Sequence, residues 1–256
     1  MPKRDRPTGS GARPAEGERE FLAAYDACAF PHPSVTVDVA LVTAAAGELR
    51  ALLIRRQEPP CQGAWALPGG FVGMAESLDA AAVRVLEAKA GLRDVYLEQL
   101  YTFGAPDRDP RTRVITVVYF ALVDAGRLEG LSGPDRALAA LRVPWEGEAG
   151  GPVDALAEGG RPLPLAFDHR DILGVVVKRL RGKLDYSPVG FQLLAREFTL
   201  RQLQEVHETI LGHRMNKDSF RRRMLATGLL EPTGQSEGEV GHRPAALFRF
   251  TQASAA

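Results

Sequence analysis

The stretch from Gly69 to Leu92 combines a glycine pair, an acidic residue and a helix-like run. If residues 78–90 form a helix, positions 85, 88 and 89 lie three and four residues apart and share one face. A hard cation such as Mg²⁺ prefers carboxylate oxygens that converge on one point. Val85 and Ala88 provide no ligand atom, and the ammonium of Lys89 would repel the ion. This face therefore lacks the groups that a magnesium site requires.

The same stretch resembles the signature box of the Nudix family, which reads G, five residues, E, seven residues, then R-E-U-x-E-E-x-G-U, with U aliphatic. The matching residues are Gly70, Glu76, Arg84, Leu86, Gly91 and Leu92, after Trp65-Ala-Leu-Pro-Gly-Gly70. The resemblance implies a metal-dependent pyrophosphatase scaffold, but three of its four box acids are replaced by Val85, Ala88 and Lys89. We therefore predict that the protein is not an enzyme, with no catalytic residue, metal site or cofactor.

A second stretch with binding chemistry runs from His213 to Arg223 and has five Lys/Arg residues against one acid, Asp218. In a helix over residues 217–227, Phe220 and Met224 face the core, with Leu225 at its edge. Ser219, Arg222 and Arg223 point outward. Such a helix either is merely solvated or enters the major groove of DNA. The predicted DNA contacts are Arg214, Lys217, Ser219, Arg221, Arg222 and Arg223, with Arg243 and Arg249 of a wing on phosphates.

The elements around this helix have the order of a winged helix, which is three helices followed by a hairpin. Thr199 is a suitable N-cap for a helix over 200–211, and Gly212 ends it. The other predicted elements are a helix over 188–196 and strands over 229–233 and 244–250.

Apolar patterns predict the elements of the N-terminal part. Strands are predicted over 35–42, 48–56, 95–103 and 113–123, loops over 59–68 and 146–161, and a helix over 169–183 with Asp168 as its N-cap. The last helix either closes the first domain or connects it to the second. The Nudix resemblance implies an α/β fold, an α/β/α sandwich with a mixed sheet.

We predict four segments in the chain. These are a disordered tail (1–20), a Nudix-like ligand-sensing domain (34–165), a connecting helix (166–183) and a winged-helix DNA-binding domain (184–256). The basic residues Lys3, Arg4 and Arg6 are either part of a solvated tail or an arm that reaches into a DNA groove.

The two domains together resemble the NrtR-type, Nudix-related transcriptional regulators of NAD metabolism. The resemblance is carried by residues 103–111, 198–204, 218–225 and 241–250. It implies homodimers that bind palindromic operators in double-stranded DNA and sense ADP-ribose-type ligands. We therefore predict a repressor of NAD-metabolism genes, whose non-hydrolytic Nudix domain senses ADP-ribose or a related nucleoside diphosphate and controls DNA binding.

The candidate ligand-binding residues are Arg55, Gly69, Gly70, Glu76, Lys89, Phe103, Arg108 and Arg111. The loop over 103–111 is either a ligand contact or a rigid surface turn. Lys89 either takes over part of a cation's role beside a diphosphate or is a solvated lysine near a helix end. Arg84 is expected to pair with Glu76 and hold the box loop.

Composition narrows the possible partners and the cellular location of the protein. The 32 Lys and Arg residues equal the 32 Asp and Glu residues, so net charge indicates neither a nucleic acid nor a membrane partner. Cys28 and Cys61 are too few for a disulfide framework, no apolar run is long enough to span a bilayer, and a secretory signal is lacking. We expect a cytoplasmic protein.

Two other functions stay open. An active Nudix pyrophosphatase with an accessory C-terminal domain would need substitute carboxylates, such as Glu76 with Glu87. In a structural module, both domains would bind protein. Metal-dependent turnover of ADP-ribose favours the enzyme, and salt-sensitive binding to a palindrome favours the regulator.

Overall fold

The computed structural model describes residues 16–238 and 244–251. The strands are β1 (Ser34–Ala45), β2 (Glu48–Arg55), β3 (Trp65–Ala66), β4 (Gly69–Phe71), β5 (Tyr96–Phe103), β6 (Val114–Leu122), β7 (Arg136–Arg142), β8 (Asp154–Leu156), β9 (Pro162–Leu163), β10 (Phe198–Thr199), β11 (Leu230–Ser236) and β12 (Ala246–Phe250). The helices are α1 (Glu16–Ala24), α2 (Leu78–Ala90), α3 (His169–Lys183), α4 (Leu200–Leu211) and α5 (Lys217–Ala226). None of these described helices is long and apolar enough to cross a membrane.

Among the described residues, 16–33 form a compact unit of their own, and α1 lies in it. Residues 16–20, which composition predicts to be disordered, are helical, because this stretch is rich in Glu, Arg, Leu and Ala, which favour helix. The rings of Phe21 and Tyr25, one turn apart, lie 5.7 Å from each other. The basic cluster at Lys3, Arg4 and Arg6 lies outside the described residues.

The large sheet has the strand order β5-β6-β1-β2-β7-β8-β9, with β3 paired to β2 and β4 paired to β1. It is mixed, since β1 runs parallel to β6 and antiparallel to β2 and β4. The predicted loop over 59–68 contains β3, and the loop predicted over 146–161 contains β8. Two or three residues are too few for an alternating pattern, so these strands form only through pairing with longer neighbours.

Helices cover both faces of this sheet, which confirms the α/β/α sandwich. On one face α2 packs Ala81 and Val85 against Val39 and Leu41 of β1. On the other face α3 packs against the alternate residues of the same strands. Because β1 is buried on both faces, it reads as a nearly continuous apolar run.

The C-terminal part forms the predicted winged helix. Its small sheet has the order β10-β12-β11. Thr199 caps α4 with a capping box through Gln202, and Gly212 ends α4 in the left-handed conformation. The helix predicted over 188–196 is instead a short 3-10 helix, Pro188–Leu193. The core of this part includes Phe198, Leu203, Phe220 and Phe248.

Arg181 of α3 joins the two parts of the fold. Its buried guanidinium donates to the carbonyl of Ile210 at the end of α4 (2.9 Å) and to the carbonyl of Gly147 (2.8 Å). It also lies 4.8 Å from the Trp145 ring centroid. The C-terminal half of α3 is therefore fixed to the winged helix.

Candidate functional site

Glu76 fixes the loop over residues 72–77 between β4 and α2, which we call the box loop. Its carboxylate accepts hydrogen bonds from the Gly73 amide (2.6 Å) and from Arg84 Nε (3.0 Å) and Nη2 (2.5 Å). Arg84 also donates to the carbonyl of Phe71 (3.0 Å). The hydrogen bond from Arg84, together with that from Gly73, lowers the pKa of Glu76 to about 2. The expected Arg84–Glu76 pair is confirmed, and the oxygens of Glu76 are engaged within the loop.

Helix α2 has the predicted bounds, with Ser77 as N-cap and Gly91 as left-handed C-cap. Val85 is buried in the apolar cluster between α2 and the sheet, whereas Ala88 and Lys89 are exposed. Glu87 forms an ion pair with Arg93. In the described part of the chain, no group of three His, Cys, Asp or Glu side chains converges as metal ligands do. The residues of this box do not fit the divalent cation of a Nudix hydrolase.

The glycine pair is explained by close packing. A Cβ on Gly69 would overlap Asp38 Oδ1, and a Cβ on Gly70 would lie 3.4 Å from Val85 Cγ2. Both glycines lie in β4, paired with Val37 and Asp38 of β1. Their roles as ligand contacts stay a prediction, beside a structural role that the packing shows.

Arg108 lies in a buried ion cluster at the start of α3. It donates to Asp168 Oδ1 (2.7 Å) and Oδ2 (2.9 Å), and its Nη2 lies 3.8 Å from Asp38 Oδ2. Asp168 occupies the predicted N-cap position, but its carboxylate binds Arg108 and makes no capping hydrogen bond. Burial lowers the pKa of His169, whose Nδ1 accepts from the amide of Leu67 (2.9 Å). This cluster ties β1, the 103–111 loop and α3 together.

The contacts of Arg111 and Phe103, the other candidates in the 103–111 loop, favour a rigid turn. Arg111 donates to Asp109 through Nε (3.0 Å) and Nη2 (2.7 Å), and the side chain of Asp109 is buried. These hydrogen bonds lower the pKa of Asp109. The guanidinium of Arg111 also lies 5.7 Å from the Phe71 ring centroid. Phe103 is half-buried and makes an edge contact with Tyr101.

Arg55 has a different environment from the other candidates. It ends β2 opposite Trp65 of β3 and lines a cleft of about 480 Å³. The lining of this cleft includes none of the other candidate ligand-binding residues.

The recognition surface of the winged helix is α5. Phe220 and Met224 are buried as predicted, and Leu225 is exposed. The outward residues Lys217, Ser219, Arg221, Arg222 and Arg223 are all exposed. Asn216 caps the helix by accepting from the amide of Ser219 (3.0 Å). The exposed residues of this helix are therefore mainly basic, with Asp218 as the acid among them.

Glu208 of α4 fixes the turn that precedes α5. Its buried carboxylate accepts from the amide of Met215 (2.9 Å), from Gln204 Nε2 (2.8 Å) and from Arg214 Nη1 (2.8 Å). Gln204 also donates to the carbonyl of Met215 (3.1 Å), so residue 215 is held at both backbone groups. These hydrogen bonds, led by that of the Met215 amide, lower the pKa of Glu208. We call Gln204 and Glu208 the turn clamp.

Two predicted DNA contacts carry partners within the protein. Arg214 is paired with Glu208, although its side chain is 89% exposed. Arg249 of β12 donates to Glu197 through Nε (3.0 Å). Arg243 lies outside the described residues.

Sequence reasoning missed Asp38, Asp168 as an ion partner, Arg181 and Glu208. Asp38 gave a signal, because it is a single acid inside the apolar run of β1, and such a residue needs a buried partner. The other three gave none, since charged residues on helices and at helix starts are usually solvated.

A mixed sandwich with a Nudix box, joined to a winged helix, places the chain among the two-domain Nudix-related proteins. The NUDIX domain family model matches residues 32–148, and the model of the NrtR DNA-binding winged helix domain matches residues 190–250. The chain is 39% identical over 235 residues to the "ADPR responsive transcriptional repressor NtrR" of Acinetobacter baylyi, covering 91% of this chain and 88% of that protein. It belongs to the NrtR family.

A solved structure supports the same assignment. The crystal structure of Shewanella oneidensis NrtR complexed with a 27mer DNA is similar with a TM-score of 0.70 and 34% sequence identity, covering 85% of this chain and 93% of that chain. A shorter similarity relates the chain to the ADP-ribose pyrophosphatase of Methanocaldococcus jannaschii. It is 38% identical over 98 residues, which are 38% of this chain and 56% of that protein.

Proposed function

We propose that this protein is an ADP-ribose-responsive transcriptional repressor. Its winged helix binds double-stranded operator DNA, and its Nudix domain binds ADP-ribose or a related nucleoside diphosphate. The observation that carries this proposal is the basic, exposed face of α5 on a winged helix that Arg181 fixes to a Nudix fold. The printed name of the Acinetobacter relative and the DNA complex of the Shewanella relative support it.

In this proposal, a basic residue contributes less to DNA binding when its side chain already pairs with a carboxylate of the protein. Lys217, Ser219, Arg221, Arg222 and Arg223 are exposed on α5 and enter the groove. Arg214 and Arg249 contribute less, because each must leave or share a carboxylate. The same proposal includes the domain limits 34–165, 166–183 and 184–256. It also includes a homodimer on a palindrome, a cytoplasmic location and NAD-metabolism target genes.

The Nudix domain in this proposal does not hydrolyse its ligand. Cleavage of a phosphoanhydride needs a metal held by converging carboxylates. The box has Val85, Ala88 and Lys89 at three acid positions, and Glu76 and Glu87 are paired with arginines. The similarity to an ADP-ribose pyrophosphatase is the observation that favours the rival enzyme, but the same similarity also fits a protein that only binds this ligand.

Two measurements on the full chain test the proposal. Fluorescence anisotropy should show salt-sensitive binding to a palindrome upstream of neighbouring NAD-metabolism genes, with an affinity that ADP-ribose changes. Release of AMP from ADP-ribose with Mg²⁺ or Mn²⁺ should not exceed a buffer control. Equal affinity for operator and scrambled DNA would refute the regulator, and metal-dependent turnover that survives repurification would establish the enzyme.

A further inference from the structure

Arg181 lies where three segments of the chain meet, which are helix α3, the loop before β8 and the end of α4. Its guanidinium donates to the carbonyls of Ile210 (2.9 Å), Gly147 (2.8 Å) and Trp145 (3.3 Å). Gly212, the left-handed cap of α4, lies so close that a Cβ there would be 3.1 Å from Arg181 Nη2. The side chain therefore contacts the last turn of α4 immediately before the turn that leads to α5.

This side chain makes a polar contact in an apolar interface between the domains. Ile210 of α4 lies in the same buried apolar cluster as Leu180 of α3. Among the described residues, the hydrogen bond from Arg181 to Ile210 is the one that joins residues 34–183 to residues 188–251. Apolar burial has no preferred direction, whereas a guanidinium donates in a rigid, planar fork. The directional part of the interface therefore lies at Arg181.

The charge of Arg181 is buried without an ion pair. The residue is 7% exposed, and desolvation lowers its pKa. Its acceptors in the described part of the chain are carbonyls, and the guanidinium lies 4.8 Å from the Trp145 ring centroid. Burial of a charge without an ion partner costs free energy that an apolar side chain of similar length would avoid. This environment favours a role in positioning over a role in stability.

The other end of α3 is fixed to the Nudix domain. His169 accepts from the amide of Leu67 (2.9 Å), and Asp168 accepts from Arg108 (2.7 Å). Leu67 lies between β3 and β4, in the segment that leads into the box. Residues 169–181 span about 18 Å of helix. Helix α3 therefore connects the segment before the box to the last turn of α4.

We propose that Arg181 couples the effector site to the DNA site, because it positions the winged helix on the Nudix domain in the orientation that effector binding changes. The inference rests on the proposed function, in which ADP-ribose changes the affinity for DNA. A ligand changes affinity at a distant site only when it favours one of two arrangements of the protein. Without the fork of Arg181, the apolar interface no longer transmits a defined orientation, and the two sites become independent.

Operator binding by the full-length protein, measured by fluorescence anisotropy with and without saturating ADP-ribose, tests this coupling. Arg181→Met keeps a long side chain in the apolar interface and removes the hydrogen bonds to the three carbonyls. The ratio of the two Kd values, roughly 5–150-fold for coupled sites, should fall to within twofold of 1. Arg181→Lys keeps the charge but not the fork, so its ratio should lie between those of the wild type and Arg181→Met.

Calorimetry with ADP-ribose separates lost coupling from lost binding. Without DNA, the Kd of Arg181→Met for ADP-ribose should stay within twofold of the wild type. Because coupling is reciprocal, operator DNA should lose its effect on this Kd by the same factor. A merely structural role would not produce this equality.

Arg179→Met is the matched control. Arg179 lies two residues away on α3, and its guanidinium donates to the carbonyl of Leu100 (3.0 Å) inside the Nudix domain. This variant should keep the wild-type ratio. An equal loss of coupling in Arg179→Met would show a general effect of α3 and would overturn the role of Arg181.

A second readout needs no change at Arg181. The chain has two tryptophans, Trp65 and Trp145, so Trp65→Phe leaves Trp145 as the single tryptophan beside the guanidinium. ADP-ribose should change the emission of Trp145, with a midpoint at the Kd that calorimetry gives for the same variant. Unchanged emission at saturation would overturn the inference, because the effector would then leave this contact as it is.

The outcomes separate the coupling from the function. A wild-type ratio in folded Arg181→Met would overturn the role of Arg181 and leave the proposed function intact. A wild type that binds the operator equally well with and without ADP-ribose would overturn the proposed function, and the coupling with it.

Discussion

The turn clamp gives the sharpest stability prediction, because one carboxylate holds the chain between α4 and α5. Glu208→Ala removes the acceptor of the Met215 amide and of Gln204 Nε2. Hydrogen bonds to a charged group contribute about 1.5 kcal/mol each at the low end. The pair with Arg214 adds at most ~1 kcal/mol, because that side chain is exposed. We expect the free energy of unfolding to fall by about 3 kcal/mol.

Thermal unfolding followed by circular dichroism measures this loss, which corresponds to a decrease in Tm of roughly 6–12 °C for a chain of this size. Glu208→Gln keeps a neutral acceptor, so we expect a loss of about 1 kcal/mol. Glu205→Ala is the matched control on the same helix, because Glu205 is exposed and, within the described residues, its ion pair is with Arg201 one turn away. Its effect should stay below about 0.5 kcal/mol.

DNA binding gives an independent measurement on the same variants. Glu208→Gln frees Arg214 for a phosphate, so the slope of log K against log salt should steepen by about 1. Discrimination between operator and random DNA should fall, because the turn that orients α5 is loosened. If Glu208→Ala unfolds at the wild-type temperature, as the Glu205→Ala control should, the clamp does not hold the turn and the reasoning is refuted.

Three further predictions concern α5 and the box. Arg222→Ala and Arg223→Ala should each weaken operator binding by about 1–3 kcal/mol where the arginine pairs with guanine; unchanged anisotropy titrations of both folded variants would exclude this helix from the groove. Lys89→Glu should weaken metal-free ADP-ribose binding in calorimetry and Mg²⁺ should restore part of it, whereas equal metal-free affinity would leave Lys89 a solvated side chain. Because Arg84 depresses the pKa of Glu76 from 4.5 to about 2, the stability from this pair is fully present above pH 4.5 and is lost as the pH falls through 2. An NMR titration of the Glu76 carboxyl should show that midpoint, and Arg84→Ala should move it toward 4.5; a wild-type midpoint near 4.5 would contradict the pairing.

Local features of the chain were readable without coordinates. Helix α2 has the predicted limits, and Thr199 and Gly212 bound α4 as predicted. Caps, glycine stops and apolar periodicity act within a few residues, so a sequence carries them directly. The loss of three box acids and the basic character of α5 are likewise properties of residue type and spacing.

Contacts between distant residues depended on the folded chain. Arg108 pairs with Asp168 across 60 residues of sequence, so the Asp168 carboxylate makes no capping hydrogen bond at its N-cap position and the Arg108 side chain is buried. The short strands β3, β8 and β9 exist because longer strands pair with them. Arg55 and Arg161 share a cleft although 105 intervening residues separate them in sequence. A charged side chain gives the same local signal whether it is solvated, paired or left free beside a cleft, and only the packing of the surrounding elements distinguishes these states.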